Sequence, residues 1–139
     1  EAAALTGVPI RVDGGLNLAD VEKVSRALQQ KGVENVLITL GENGAALTGK
    51  DGLHHIPSVP NVAVADPTAA GDSFVAAFCV GVCAGLNSRQ AMDFARNTAA
   101  ITVSRPGAQP SLPMLPDVEA GLALHGEKDF PMDKLAVLK

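Results

Sequence analysis

Asp66-Pro67-Thr68-Ala69-Ala70-Gly71-Asp72-Ser73-Phe74 is the stretch that decides how this chain is read. It joins a strand-like apolar run, Val62-Ala63-Val64-Ala65, to a small-residue stretch that predicts a long helix starting near Ser73. Its two carboxylates are six positions apart, and Ala69-Ala70-Gly71 between them carries no bulk. Free N–H groups at a helix N-terminus attract anions. An acid beside a bound phosphate can take the proton of a hydroxyl that attacks it. The combination points to phosphoryl transfer.

Upstream, Val36-Leu37-Ile38-Thr39-Leu40 is a continuous apolar run of strand length, as expected for a buried parallel strand. Gly41 and Gly44 flank a tight turn after it. Ala45-Ala46-Leu47-Thr48 and Leu53-His54-His55-Ile56 bracket Gly49-Lys50-Asp51-Gly52, which reads as a hairpin. Nearer the start, Leu5-Thr6-Gly7 reads as a helix end with Gly7 in the left-handed position. Asn17 is the expected cap of the next helix and Asp20 lies in its first turn. Val21, Val24, Ala27 and Leu28 share one face of it as core, and Gly32 ends it.

Downstream, Ala76, Ala77, Gly81, Ala84 and Gly85 give the Ser73–Leu86 helix a small face suited to close approach to a sheet. Asn87-Ser88 breaks it, and Ser88 is the expected cap of a helix over Arg89–Val103. Pro106, Pro110, Pro113 and Pro116 predict a loop, followed by a short helix over Asp117–Leu124. Residues 126–139 show no clear element and are expected to be mobile. Alternating strands and helices in a chain of this length predict a single α/β domain, a sheet layered by helices.

The central stretch resembles the signature of the ribokinase-like carbohydrate kinases, the pfkB family, written D-T-x-G-A-G-D with an A-A-G-D variant. This chain reads D-P-T-A-A-G-D and departs from the variant at Pro67. Two further blocks agree in order and spacing. Leu37-Ile38-Thr39-Leu40-Gly41-Glu42-Asn43-Gly44-Ala45 is similar to the family's nucleotide-contacting turn. Ser104-Arg105-Pro106-Gly107-Ala108-Gln109-Pro110-Ser111 is similar to the segment that closes a monovalent-cation site. Glu1-Ala2-Ala3-Ala4-Leu5-Thr6-Gly7 resembles the stretch that begins with the acid of an Asn-x-x-Glu motif. The resemblance runs to about Pro116 and implies the C-terminal half of a layered α/β/α ribokinase-like fold, with the N-terminal half and β-sheet lid outside the chain.

The resemblance also assigns roles. Asp72 is the expected catalytic base; the alternative is a capping aspartate, and the two are compatible. Ala69, Ala70 and Gly71 would offer backbone N–H groups as an anion hole, or simply form a tight turn into the helix. Thr39, Gly41 and Gly44 would meet the nucleotide; without the resemblance they read as an ordinary strand–turn–strand. Asn97, with Arg96, lies where adenine would be approached, or on a solvated helix face. Asp66, Thr68, Thr102, Arg105, Gly107 and Ser111 map onto oxygen ligands of a monovalent cation, K⁺, most of them through backbone carbonyls; the alternative is a Pro-rich surface loop. Glu1 would help position Mg²⁺ through water, or is a solvated chain end.

The implied activity is ATP-dependent phosphorylation of a small sugar, ribose first, in the cytoplasm and as a homodimer at full length. Fructose, 2-keto-3-deoxygluconate and nucleosides remain alternative acceptors. A non-catalytic nucleotide-binding fragment and an assembly role remain alternative functions. The chain itself excludes other classes. A net charge of −4, 11 Lys+Arg and 3% aromatics disfavour nucleic-acid and membrane-surface partners. No Walker A motif and no G-x-G-x-x-G is present. Cys79 and Cys83 lack the partners of a metal set and read as buried small residues in a reducing compartment. His54 and His55 point to opposite faces of a strand and receive no role.

Overall fold

The computed structural model describes residues 1–11 and 13–139. They form two compact units, Glu1–Pro57 and Ser58–Lys139, where the sequence reads as one domain.

In the first unit, α1 (Ala2–Thr6) closes at Gly7, whose φ of 71° is the expected left-handed cap. Helix α2 (Leu18–Gln29) begins as its sequence dictates, with the Asn17 side chain accepting the Asp20 N–H at 3.2 Å. The buried Asp20 carboxylate also accepts Arg11 Nε at 2.7 Å, Nη2 at 2.9 Å and the Arg11 backbone N–H at 3.1 Å. The side-chain and then the backbone hydrogen bonds from Arg11 hold its pKa down to about 2. They pin the segment before α2 to its first turn. Val21 and Val24 are fully buried and pack with Val36, Ile38 and Ala46 of a three-stranded sheet.

That sheet is β1 (Val36–Thr39), β2 (Ala45–Gly49) and β3 (Gly52–Ile56), in chain order. Both pairings are antiparallel, with Val36 opposite Thr48, Ile38 opposite Ala46, and Ala46 opposite His55. Strand β1 is therefore not the parallel strand that its apolar run predicts. The Gly41–Gly44 turn is far too short for a crossover, so β1 pairs with β2, its neighbour in the chain. Burial alternates accordingly, Val36 and Ile38 in, Thr39 out. The expected hairpin forms through Lys50-Asp51.

Among the described residues the second unit contains no strand. The sequence predicts one over Val62–Ala65, but a strand needs an edge to pair with. Instead the N–H groups of Ala65 and Asp66 both donate to the Val103 carbonyl, at 2.7 and 3.1 Å. Helix α3 (Ala70–Cys83) starts three residues ahead of Ser73. Helix α4 (Ser88–Val103) is capped by Asn87 rather than Ser88, in a reciprocal box with Gln90 at 3.0 and 3.1 Å. The small face of α3 meets α4, not a sheet. A Cβ at Gly81 would lie 3.4 Å from the Ala91 Cα and 3.2 Å from Leu86 Cδ1. Cys79 and Cys83 are exposed, contrary to expectation, on an outer face shared with Val75 and Val82. Helix α5 (Leu115–His125) takes Pro116 into its first turn, where a missing N–H costs nothing.

The tail packs onto the rest of the second unit. Its last turn, Met132–Leu138, buries Leu135 completely. Burying a leucine contributes about 1.5–3 kcal/mol. Lys134 Nζ donates to the Gly85 carbonyl at 2.8 Å, and Lys139 pairs with Glu119 at 3.0 Å. Among the described residues no helix is long and apolar enough to cross a membrane.

Candidate active site

The site is built around the start of α3. Asp66 folds back on its own chain: one carboxylate oxygen accepts the Thr68 N–H at 2.9 Å and the Thr68 hydroxyl. The other accepts the Gly107 N–H at 3.0 Å, from a loop 41 residues further on. The Thr68 hydroxyl first, then the Thr68 and Gly107 amides, hold the Asp66 carboxyl below the usual range. One acid thus ties the approach to α3 to the Ser104–Ser111 loop, where Gly107 takes a φ of 84°.

The Ala70 N–H donates to the Pro67 carbonyl at 3.1 Å, closing a turn. Of the three expected anion-hole amides, that one is committed inward. The N–H groups of Ala69, Gly71 and Asp72 have no acceptor among the described residues. Asp72 is exposed in the first turn of α3 and is not its cap; Ala69 takes that place with no side-chain bond. An exposed carboxylate beside open amides at a helix N-terminus fits an acid poised next to a bound anion.

The loop residues put their side chains to structural use. Thr102 Oγ1 donates to the Thr98 carbonyl at 3.0 Å and Ser111 Oγ to Ala108 at 2.6 Å, both residues fully buried. Arg105 pairs with Asp117 at 3.2 Å. That leaves the backbone carbonyls of this loop as the oxygens a cation could use. No group of three or more His, Cys, Asp and Glu suited to a metal ion occurs among the described residues.

Thr39, Gly41 and Gly44 lie in the other unit, with Glu1, which is exposed at the head of α1. Thr39 ends β1 with its side chain exposed. The turn closes on itself: Leu40 N–H donates to Gly44 O at 2.8 Å and Gly44 N–H to Gly41 O at 3.1 Å. Gly41 has φ 59° and Gly44 φ 87°. A Cβ at Gly44 would sit 2.0 Å from the Ile56 carbonyl oxygen, so only glycine fits. His55, to which the sequence assigns no role, places Nε2 2.7 Å from the Asn43 carbonyl in this turn.

Asn97 is 1% exposed, which removes the solvated-face reading. Its amide donates to the Asp93 carbonyl at 2.9 Å and carboxylate at 3.2 Å, and Gly121 of α5 lies over it. The Asn97 NH2 group is thus engaged inside the protein. Arg96 is likewise engaged, with Asp93 at 2.7 Å and the His125 carbonyl at 3.0 Å. Asp93 itself, fully buried, also accepts the Glu127 N–H at 2.7 Å. It is the post to which the tail is tied. A lone acid inside a helical pattern gave no signal of that.

Residues 1–115 match the profile described as pfkB family carbohydrate kinase. This chain belongs to that family. The ribokinase of Schizosaccharomyces pombe is 35% identical over 125 residues, covering 89% of this chain and 38% of that protein. A crystal structure of Thermotoga maritima ribokinase superposes with a TM-score of 0.76 at 39% identity, over 88% of this chain and 39% of the other. Arabidopsis thaliana ribokinase, solved with ribose and ATP, gives 0.79 at 30% identity, over 87% of this chain and 38% of the other. The fold of this pfkB chain is therefore the mixed α/β ribokinase fold, of which the chain spans under two fifths of each relative's length.

Proposed function

We propose that this chain is the phosphoryl-transfer portion of an ATP-dependent sugar kinase whose preferred acceptor is a hydroxyl of ribose. The observation that carries the reading is the start of α3, where exposed Asp72 stands beside the open amides of Ala69, Gly71 and Asp72. Similarity to ribokinases, one of them solved with ribose and ATP, supports the acceptor. Asp72 would accept the proton of the sugar hydroxyl as that oxygen bonds to the γ-phosphorus and the bond to the ADP oxygen breaks. The open amides would receive the charge gathering on the phosphoryl oxygens. The Asp66–Gly107 tie would hold those amides in place, and a K⁺ on the loop carbonyls would stiffen the same region. Thr39, Gly41 and Gly44 would meet the nucleotide. Mg²⁺, positioned through water with help from Glu1, would offset the charge of the triphosphate.

The sugar pocket and lid are proposed to come from residues outside these 139. Fructose, 2-keto-3-deoxygluconate and nucleosides are the competing acceptors, and a nucleotide-binding fragment without turnover is the competing function. The test is ADP release by the protein carried to the length of its relatives, with each acceptor in turn. Release that depends on ribose, with the highest kcat/KM for it, is the expected result. Release with no acceptor of the set would overturn the kinase reading.

A further inference from the structure

The Gly41–Gly44 turn joins β1 to β2. Glycine at both ends gives the backbone access to conformations that other residues avoid, and Gly44 sits at φ 87° and ψ −130°. Three backbone hydrogen bonds close the turn: Leu40 N–H to Gly44 O at 2.8 Å, and Gly44 N–H to Gly41 O and Asn43 N–H to Leu40 O, both at 3.1 Å. The Leu40–Gly44 bond continues the β1–β2 pairing one step past Thr39 and Ala45. Strand β3 holds the turn as well, at two consecutive residues. The Ile56 carbonyl lies where a Gly44 side chain would be, and the His55 ring reaches the Asn43 carbonyl at 2.7 Å. The Asn43 C=O and the Gly44 N–H belong to one planar peptide. The His55 contact on the carbonyl and the Gly44 N–H bond to Gly41 O thus restrain that peptide from both of its polar groups.

We infer that His55 is a positioning residue for nucleotide binding, clamping the Asn43–Gly44 peptide so that the turn presents one backbone surface to ATP. This rests on the reading that Thr39, Gly41 and Gly44 meet the nucleotide. The contact needs a proton on Nε2, which donates to the carbonyl in both the neutral Nε2–H ring and the imidazolium. The clamp is thus a matter of donor and reach, and two substitutions separate them from bulk. His55→Phe keeps a flat ring and removes the donor. His55→Gln keeps an amide donor on a chain long enough to approach Asn43.

The experiment titrates the 139-residue chain and both variants with ATP, following the amide signals of Gly41 and Gly44 by NMR and the thermal midpoint of each protein. The expected result is ATP binding weakened roughly 3- to 10-fold in H55F, the scale of one lost hydrogen bond. The Gly44 amide should be shifted before ATP is added, and H55Q should recover most of the affinity. If H55F unfolds, His55→Asn, too short to reach the carbonyl, takes its place and should weaken ATP binding to the same extent. H55F binding ATP as tightly as the unsubstituted chain would overturn the inference. So would a loss that follows the thermal midpoint alone and is not recovered by H55Q. ATP leaving Gly41 and Gly44 of the unsubstituted chain unperturbed would be a different failure, overturning the nucleotide reading and this inference with it.

Discussion

Asp72 and Gly44 are the two residues on which single substitutions should speak most clearly. Asp72 stands exposed in the first turn of α3 with no partner among the described residues, so Asp72→Asn removes the proposed base without disturbing packing. In the protein of its relatives' length, we expect kcat to fall on the order of 10²–10⁴-fold with little change in the KM for ATP. Turnover close to that of the unsubstituted enzyme would take the base assignment away. Gly44→Ala acts by geometry: its Cβ would meet the Ile56 carbonyl at 2.0 Å, at a φ of 87°. We expect a loss of about 1–3 kcal/mol in urea unfolding from the strained backbone, and unchanged stability would mean that the turn relaxes freely. Both positions stood out in the sequence, Gly44 as a glycine flanking a tight turn and Asp72 as the acid at the start of a helix. His55 and Asp93 did not. Their work is done on carbonyls and amides distant in sequence, and that pairing exists only once the strands and helices are in register.

Element by element, legibility tracked how local the determinant is. The start of helix α2 was readable to the residue, since Asn17, Asp20 and the Val21–Val24 stripe all act within about one turn of each other, whereas the helix ends at Gln29 rather than at Gly32. The cap of α4 slipped by one because Asn87 and Ser88 are both capping residues, and Gln90 decides between them. Val62–Ala65 misled because strand propensity does not supply a neighbour. The Arg11–Asp20 tie gives α2 a measurable pH signature. The folded-state pKa of Asp20 is depressed to about 2 from the ordinary 3.8, so the tie is at full strength above the ordinary carboxylate range. It is lost as pH falls from about 4 toward 2. We expect the stability of the first unit to drop through that window, and Asp20→Asn to be less stable at pH 7 yet flatter below about pH 4. The readout is α2 helicity by amide exchange during acid titration. Parallel profiles for the two proteins would show that other carboxylates carry the acid response. In the second unit the tail makes a separate claim. Leu135 is fully buried, so Leu135→Ala should cost about 2–5 kcal/mol in chemical unfolding, whereas a loss near zero would return residues 126–139 to the loose tail that the sequence alone implies.

At the scale of the whole molecule, the proposed chemistry makes a claim about what these 139 residues do by themselves. Phosphoryl transfer requires both reactants held in line and water kept out. The 139 residues supply an exposed acid, open amides and the Gly41–Gly44 turn, while spanning under two fifths of the length of the relatives they match. The outer face of α3 adds a physical sign in the same direction. Val75, Cys79, Val82 and Cys83 lie exposed along it, and Asp72 is the one charged residue of the helix. Contiguous apolar surface of this kind favours association over a free existence in water. We therefore expect the isolated chain to bind adenine nucleotide weakly, to self-associate as concentration rises, and to give no measurable sugar phosphorylation. The check is a coupled ADP-release assay on the chain alone, scanning ribose, fructose, 2-keto-3-deoxygluconate and nucleosides at high concentration. Sedimentation of the same samples would report their assembly state. Sustained turnover with any acceptor would mean that these residues build a sugar site of their own, and a division of labour with residues outside the chain would have to be abandoned. ATP binding without turnover, abolished neither by dilution nor by Asp72→Asn, is the pattern expected of a polypeptide that holds the nucleotide and the base but not the acceptor.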